Sequence, residues 1–274
     1  MHQEMHGALC YLSRVCGACD VAPMALLSTE ALVLRGYKLG ETSKVVILLT
    51  RERGKVRAVA RGARGSRPRY QSALEPLSEV RVTLYGRQGA ELLRLGQAEL
   101  LHSAFRAGTR SLDAALFLSG CAELLDAFSS EGEADERVYR LALAVVHAAE
   151  KGSSPELLGR YLEAWLLKLH GLYPPLDRCA ACGGELPVTG GLEYHRAAHG
   201  FVCGDCGPAS GPDLPADSRR LLAEIFRRGP DALGEAGPAA RALEPFHRDL
   251  IAAHLERDLR APRVIREIAR EAVR

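Results

Sequence analysis

The chain has 274 residues, 47% hydrophobic and 26% charged, the make-up of a globular protein with room for one large or two to three small domains. No run of ~18 apolar residues is present, which excludes a membrane-spanning helix. The formal net charge is only +2, but it is unevenly spread. Residues 24–100 hold fourteen basic and seven acidic side chains, residues 101–174 hold seven and ten, and residues 175–274 hold fourteen and fifteen. That asymmetry points to an anion-binding module, nucleic acid foremost, fused to a second unit.

Residues 1–23 show neither a helical nor a strand period. They are not read as a secretory leader, because no Lys or Arg precedes Arg14 and no compact apolar core precedes a cleavage site. They are taken as a loose tail, or as residues upstream of a start at Met24. Cys16-x-x-Cys19 after His2-x-Glu4 faintly echoes a zinc deaminase, but the gap is short and no proline precedes Cys16.

From Glu30 the pattern is β-type. Strands are predicted over 31–37, 44–50, 55–60, 77–85 and 91–97, with a polar turn at 38–43 and a hairpin at 51–54. Within 55–60, Val56, Ala58 and Ala60 share one side and Lys55, Arg57 and Val59 the other. Val80, Val82 and Leu84 alternate in the same way. Five short strands with one long Gly/Arg loop, from Arg61 to about Gln71, fit a closed OB-type barrel.

From residue 109 the period becomes helical. Helices are predicted over 112–128 with Ser111 as N-cap, 136–151, 155–171, 216–228, 239–259 and 262–274. The stripe containing Trp165 reads as core packing, and Cys121 as a small buried hydrophobe. The expected fold is therefore α+β: an OB-type barrel over 24–100, then a helical domain over 101–274. The helices on either side of a cysteine-rich insertion, at about 175–212, are expected to pack together.

That insertion carries Cys179-x-x-Cys182 and Cys203-x-x-Cys206. Two CxxC pairs brought together by a hairpin make a tetrahedral thiolate set suited to one structural Zn²⁺ per chain. Four sulfurs leave no open position, so no catalysis is expected at the metal. His195 and His199 lie between the pairs and are read as loop residues. Gly183, Gly184, Gly204 and Gly207 let backbone N–H groups approach the sulfurs.

The densest charge runs from Arg51 to Arg69, where eight basic residues accompany one acid, Glu52. No acidic neighbour in the sequence balances it. Gly62, Gly65 and Pro68 let the backbone approach phosphates, and Tyr37 and Tyr70 could stack on bases or belong to the barrel. Few aromatics suggest phosphate-led binding with little sequence specificity. No GxxxxGK[ST] loop occurs, so ATP is not expected to drive the protein.

Residues 30–100 resemble the N-terminal domain of the bacterial recombination mediator RecO. The resemblance is carried by Gly40-Glu41-Thr42-Ser43, by Leu49-Thr50-Arg51-Glu52-Arg53-Gly54-Lys55-Val56 and by Ala60-Arg61-Gly62-Ala63-Arg64. The order of barrel, helices, cysteine insertion and further helices is also similar, from about Leu26 onward. The resemblance implies a cytoplasmic, nucleoid-associated, non-catalytic protein of DNA repair and recombination. Such a protein binds single- and double-stranded DNA, anneals complementary strands and works with RecR, and in many bacteria RecF. It helps load RecA onto DNA coated by single-stranded DNA-binding protein. It implies DNA contacts for Lys44, Arg51, Arg53, Lys55, Arg57, Arg61 and Arg64; Arg67 and Arg69 follow from charge alone. The four cysteines match the family's zinc positions. The alternatives are an RNA- or ribosome-associated OB protein with a zinc module, and a hydrolytic or deaminating zinc enzyme.

Overall fold

A computed structural model describes residues 25–65, 70–87, 89–208 and 210–255. The tail 1–23, Arg67, Arg69 and the helix expected over 262–274 lie outside the described residues.

Five strands form a closed barrel: β1 (Ala25–Leu39), β2 (Ser43–Thr50), β3 (Gly54–Ala60), β4 (Glu79–Gly86) and β5 (Leu93–His102), in the order β1-β2-β3-β5-β4. Closure comes from a parallel β3–β5 pair and an antiparallel β1–β4 pair. β1 starts six residues earlier than the sequence pattern suggests. Its first half pairs with β4 and its second half with β2, with a register shift between Val33 and Arg35. Such stagger is what lets a small sheet close. The row leaving β1 at Leu26 crosses Tyr85, Arg94, Val59 and Val45 and returns to β1 at Tyr37.

The barrel interior holds Ala31, Val33, Val46, Leu48, Ala58, Ala60, Val80, Val82, Leu84 and Leu95. The alternation expected for β3 and β4 is therefore present. Leu32, Leu34, Ile47 and Leu49 face outward, yet they are buried because they enter the helical core. This explains why ALVL and VVILL read as unbroken apolar runs: both faces of those segments are covered. Tyr70 is buried and donates its hydroxyl to the Leu95 carbonyl at 2.9 Å, so it is a barrel residue and not a stacking platform.

A short helix α1 (Phe105–Gly108) leads into α2 (Leu112–Phe128), α3 (Glu136–Lys151) and α4 (Pro155–Leu169). The ends are set locally. Ser111 Oγ accepts from Ala114 N, and the Asp135 carboxylate accepts from Arg137 N and Val138 N. Gly152, at φ 95°, stops α3. Leu158, Leu162, Leu166 and Leu167 of α4 are fully buried at the centre of the helical core. Trp165 packs edge-on against Phe226 and donates Nε1–H to the Ile225 carbonyl, a packing role. Cys121 is buried in the same core.

Between α4 and α5 (Ala216–Ile225) lies the cysteine segment, with a small hairpin of β6 (Glu193–His195) and β7 (Gly200–Val202). After it, α5 and α6 (Pro238–Leu255) pack back on α4. Tyr194 and Phe201 of the hairpin both meet Phe246 of α6, with ring centres 5.3 Å apart.

Candidate nucleic-acid interface and metal centre

The cysteine segment folds as two knuckles. In the first, Cys179 N donates to Gly184 O at 2.8 Å and Gly183 N to Cys179 O at 2.9 Å, with Gly183 at φ 73°. In the second, Cys206 N donates to Cys203 O at 3.0 Å. The Ala180 N–H to Phe201 carbonyl bond, 2.8 Å, ties the first knuckle to β7 and so sets the two opposite each other.

The four sulfurs lie within 4.8 Å of one another, and Cys182 Sγ is 3.8 Å from Cys203 Sγ. Sulfurs placed ~2.3 Å from a central ion at tetrahedral angles are separated by ~3.8 Å, so the set fits a metal ion. Cys203 N–H points at Cys179 Sγ at 3.4 Å. The N–H groups of Cys182 and then Cys203 draw the Cys179 pKa down to about 6, favouring the thiolate a metal needs. Hydrogen bonding with Cys203 first, then Cys182 and Cys179, pushes the Cys206 thiol up to about 12. His195 Nδ1 accepts from Ala198 N, and His199 is exposed in a left-handed turn; neither joins the sulfur cluster.

The basic stretch is divided by the fold. Lys55 turns toward α2, where Nζ sits 3.3 Å from Asp126 Oδ1 and 2.6 Å from the Asp126 carbonyl; the two side chains are 14% and 6% exposed. Arg35 pairs with the same carboxylate. Arg57 pairs with Glu131, and Arg51 Nη2 with Glu136 Oε1 at 2.7 Å. The acids missing from the neighbouring sequence therefore arrive from α2, α3 and their connection, roughly seventy residues or more further along the chain. They draw on the acidic excess of residues 101–174.

Backbone contacts fix this junction: Lys55 N donates to Ser130 O and Gly132 N to Lys55 O, both at 3.1 Å. Gly54, at φ 57°, lies so close that an added Cβ would sit 1.8 Å from the Glu133 carbonyl oxygen. The Arg51–Lys55 segment is thus, in the main, the surface on which the helical part docks. Of its three cations, only Arg53 lacks an ion pair among the described residues.

The remaining candidates sit elsewhere. Lys44 is 4.0 Å from Glu75 across the barrel mouth. Arg64 anchors the loop after β3, with Nη1 on the Gly40 carbonyl at 3.2 Å and its backbone N on Thr42 O. Arg61 is exposed beside it and has no ion pair among the described residues. Three cations outside the Arg51–Arg69 stretch join this uncovered surface. Lys38 lies opposite Lys44, Arg94 lies between Val59 and Tyr85, and Arg87 opens the β4–β5 turn. Exposed Tyr37 and Tyr85 lie on the same row, and Tyr85 lies over Gly96. Counting charge along the chain misses Arg94, because parallel β3–β5 pairing alone brings it beside Val59.

A closed five-stranded barrel joined to a helical unit with a four-cysteine knuckle defines the class: a barrel protein of the OB type carrying a candidate metal module. The family model described as "Recombination protein O N terminal" matches residues 24–104, and "Recombination protein O C terminal" matches residues 110–263. The "DNA repair protein RecO" of Koribacter versatilis (strain Ellin345) is 34% identical over 238 residues, covering 85% of this chain and 96% of that protein. Those of Anaeromyxobacter sp. (strain Fw109-5) and Geobacter metallireducens are 36% and 33% identical, each covering 88% of this chain and 96% and 97% of the relative. The chain belongs to the RecO family of DNA repair proteins.

Proposed function

We propose that the uncovered barrel face binds the phosphate backbone of single- and double-stranded DNA and brings complementary strands together without covalent chemistry. The observation that carries this reading is the row Tyr37, Val45, Val59, Arg94 and Tyr85, with Arg61 beside it. It offers cations and aromatic rings on the face that the helical part leaves open. The β1–β2 and β4–β5 turns flank this face, with Lys38 at the end of β1 and Arg87 in the second turn, an arrangement that OB barrels offer to single strands. Glu41 and Glu91 on those turns limit its depth of positive charge.

The barrel unit over 24–100 would supply DNA contacts through Arg61, Arg64 and Lys44, joined by Lys38, Arg87 and Arg94. Arg53 is a further candidate. Lys55, clamped on Asp126, serves docking instead. The helical unit over 101–274 would hold one structural Zn²⁺ on Cys179, Cys182, Cys203 and Cys206, which supplies folding free energy to the 175–212 insertion. In the cytoplasm the partners would be RecR, RecF and single-stranded DNA-binding protein, with RecA loading as the outcome. No helix among the described residues is long and apolar enough to cross a membrane.

The test is annealing of complementary oligonucleotides, with and without single-stranded DNA-binding protein, by the wild type and by Arg61→Ala/Arg94→Ala. The variant should bind all sequences about equally more weakly and anneal more slowly. Its salt slope should be shallower by about one for each phosphate that the variant no longer neutralises. Salt-independent binding, or a preference for structured RNA with no annealing, would reject the reading.

A further inference from the structure

Arg57 lies two residues before Val59 on the same outward side of β3, so it continues the line from Arg61 toward the helical part at steps of ~6.6 Å. Arg51 follows at the β2–β3 turn. Both guanidinium groups are already occupied by carboxylates at the α2–α3 connection and the start of α3, Arg57 by Glu131 and Arg51 by Glu136, with Glu30 3.8 Å from Arg51.

These contacts differ in kind from the Lys55–Asp126 clamp. The paired side chains are 52% and 44% exposed at Arg57–Glu131, and 47% and 54% exposed at Arg51–Glu136. Exposed pairs of this sort are weak and easily screened. The backbone that carries Glu131, by contrast, is held by the bonds of Lys55 to Ser130 and Gly132. Its carboxylate therefore stays beside Arg57 at high effective concentration, while the side chain itself is free to turn away.

We propose that Glu131 and Glu136 are tethered phosphate mimics. They fill a latent extension of the nucleic-acid track at Arg57 and Arg51, and a polyphosphate chain long enough to reach displaces them by side-chain rotation. The inference rests on the barrel-face reading above and adds a length threshold to it. A short strand engages the open face around Arg61 and Arg94, whereas a longer one also recruits Arg57 and Arg51 against the competing carboxylates.

The experiment uses the full chain and labelled single strands of ~10 and ~30 nucleotides, with binding measured across a salt series. Glu131→Gln/Glu136→Gln should tighten long-strand binding roughly three- to tenfold, steepen its salt slope by about one to two, and leave the short strand almost unchanged. Glu133→Gln removes one charge from the same connection, but Glu133 has no ion pair among the described residues. It should give little gain. In an Arg51→Ala/Arg57→Ala background the two glutamine changes should have no effect. Equal gains per charge from Glu133→Gln and from the double variant would overturn the proposal in favour of bulk charge, as would no gain from the double variant while the wild type binds. A folded wild type that binds neither strand would reject the barrel-face reading, and this inference with it.

Discussion

His247 lies fully buried on α6, between Glu163 Oε2 at 3.0 Å from Nδ1 and Tyr173 Oη at 3.1 Å from Nε2. Arg160 holds the other Glu163 oxygen at 2.7 Å. Burial pulls the His247 pKa below its ordinary 6.5, against the opposing pull of Glu163, and burial raises the Tyr173 hydroxyl. The neutral ring thus donates to the carboxylate and accepts from the phenol. The unfolded chain takes up a proton near pH 6.5 that the folded chain refuses until lower pH. Stability from this residue is therefore complete above that value and falls as pH drops through it, by at most about 1.4 kcal/mol per pH unit. Denaturant unfolding at pH 7.5 and 5.5 should reveal the loss in the wild type. A His247→Gln variant should lack that component, and identical pH slopes in the two proteins would contradict it. No sequence pattern marks this network, because Glu163, Tyr173 and His247 do not form a recognisable spacing and each alone looks ordinary.

At the level of elements, the cysteine hairpin is the part most readable from sequence. Two CxxC pairs predict the sulfur cluster. What they do not reveal is how the module is held to its host. Tyr194 and Phe201 reach Phe246, and Arg196 Nε reaches Asp249 Oδ2 at 3.0 Å, so the hairpin rests on α6. Its buried apolar side chains Leu186, Leu192, Tyr194, Phe201 and Val202 all join the helical core, while the crowded thiolates repel one another unless a cation is present. Chelation, or Cys203→Ser, should therefore unfold the 175–212 segment first. Limited proteolysis should cut there while barrel fragments persist. A segment equally resistant with and without chelator would show that metal binding contributes nothing to its fold. The helices are legible for a related reason: Ser111, Asp135, Ser154 and Gly152 mark their ends through local hydrogen bonds, which depend only on near neighbours.

For the whole molecule, the decisive feature is the seam between barrel and helices. Gly54 is a tight point of that seam. Gly54→Ala would demand a strained positive φ and drive a methyl group into the Glu133 carbonyl, costing at least about 2 kcal/mol. The expected outcome is a lower unfolding midpoint together with faster protease nicking in the α2–α3 connection. An unchanged midpoint would mean that the seam opens without loss. By itself the sequence determined the order of five barrel strands, the alternation within β3 and β4, the limits of α2 and α3 and the cysteine set, because each is written in near-neighbour periodicity, capping or spacing. It also determined that positive charge is concentrated before residue 100. Only the tertiary structure decided which of those charges are available. Coulomb attraction acts on distance in space, and the fold brings Asp126, Glu131 and Glu136 to Lys55, Arg57 and Arg51 while leaving Arg61 and Arg94 open. A run that reads as one basic patch along the chain is, in three dimensions, a docking seam and a separate exposed face.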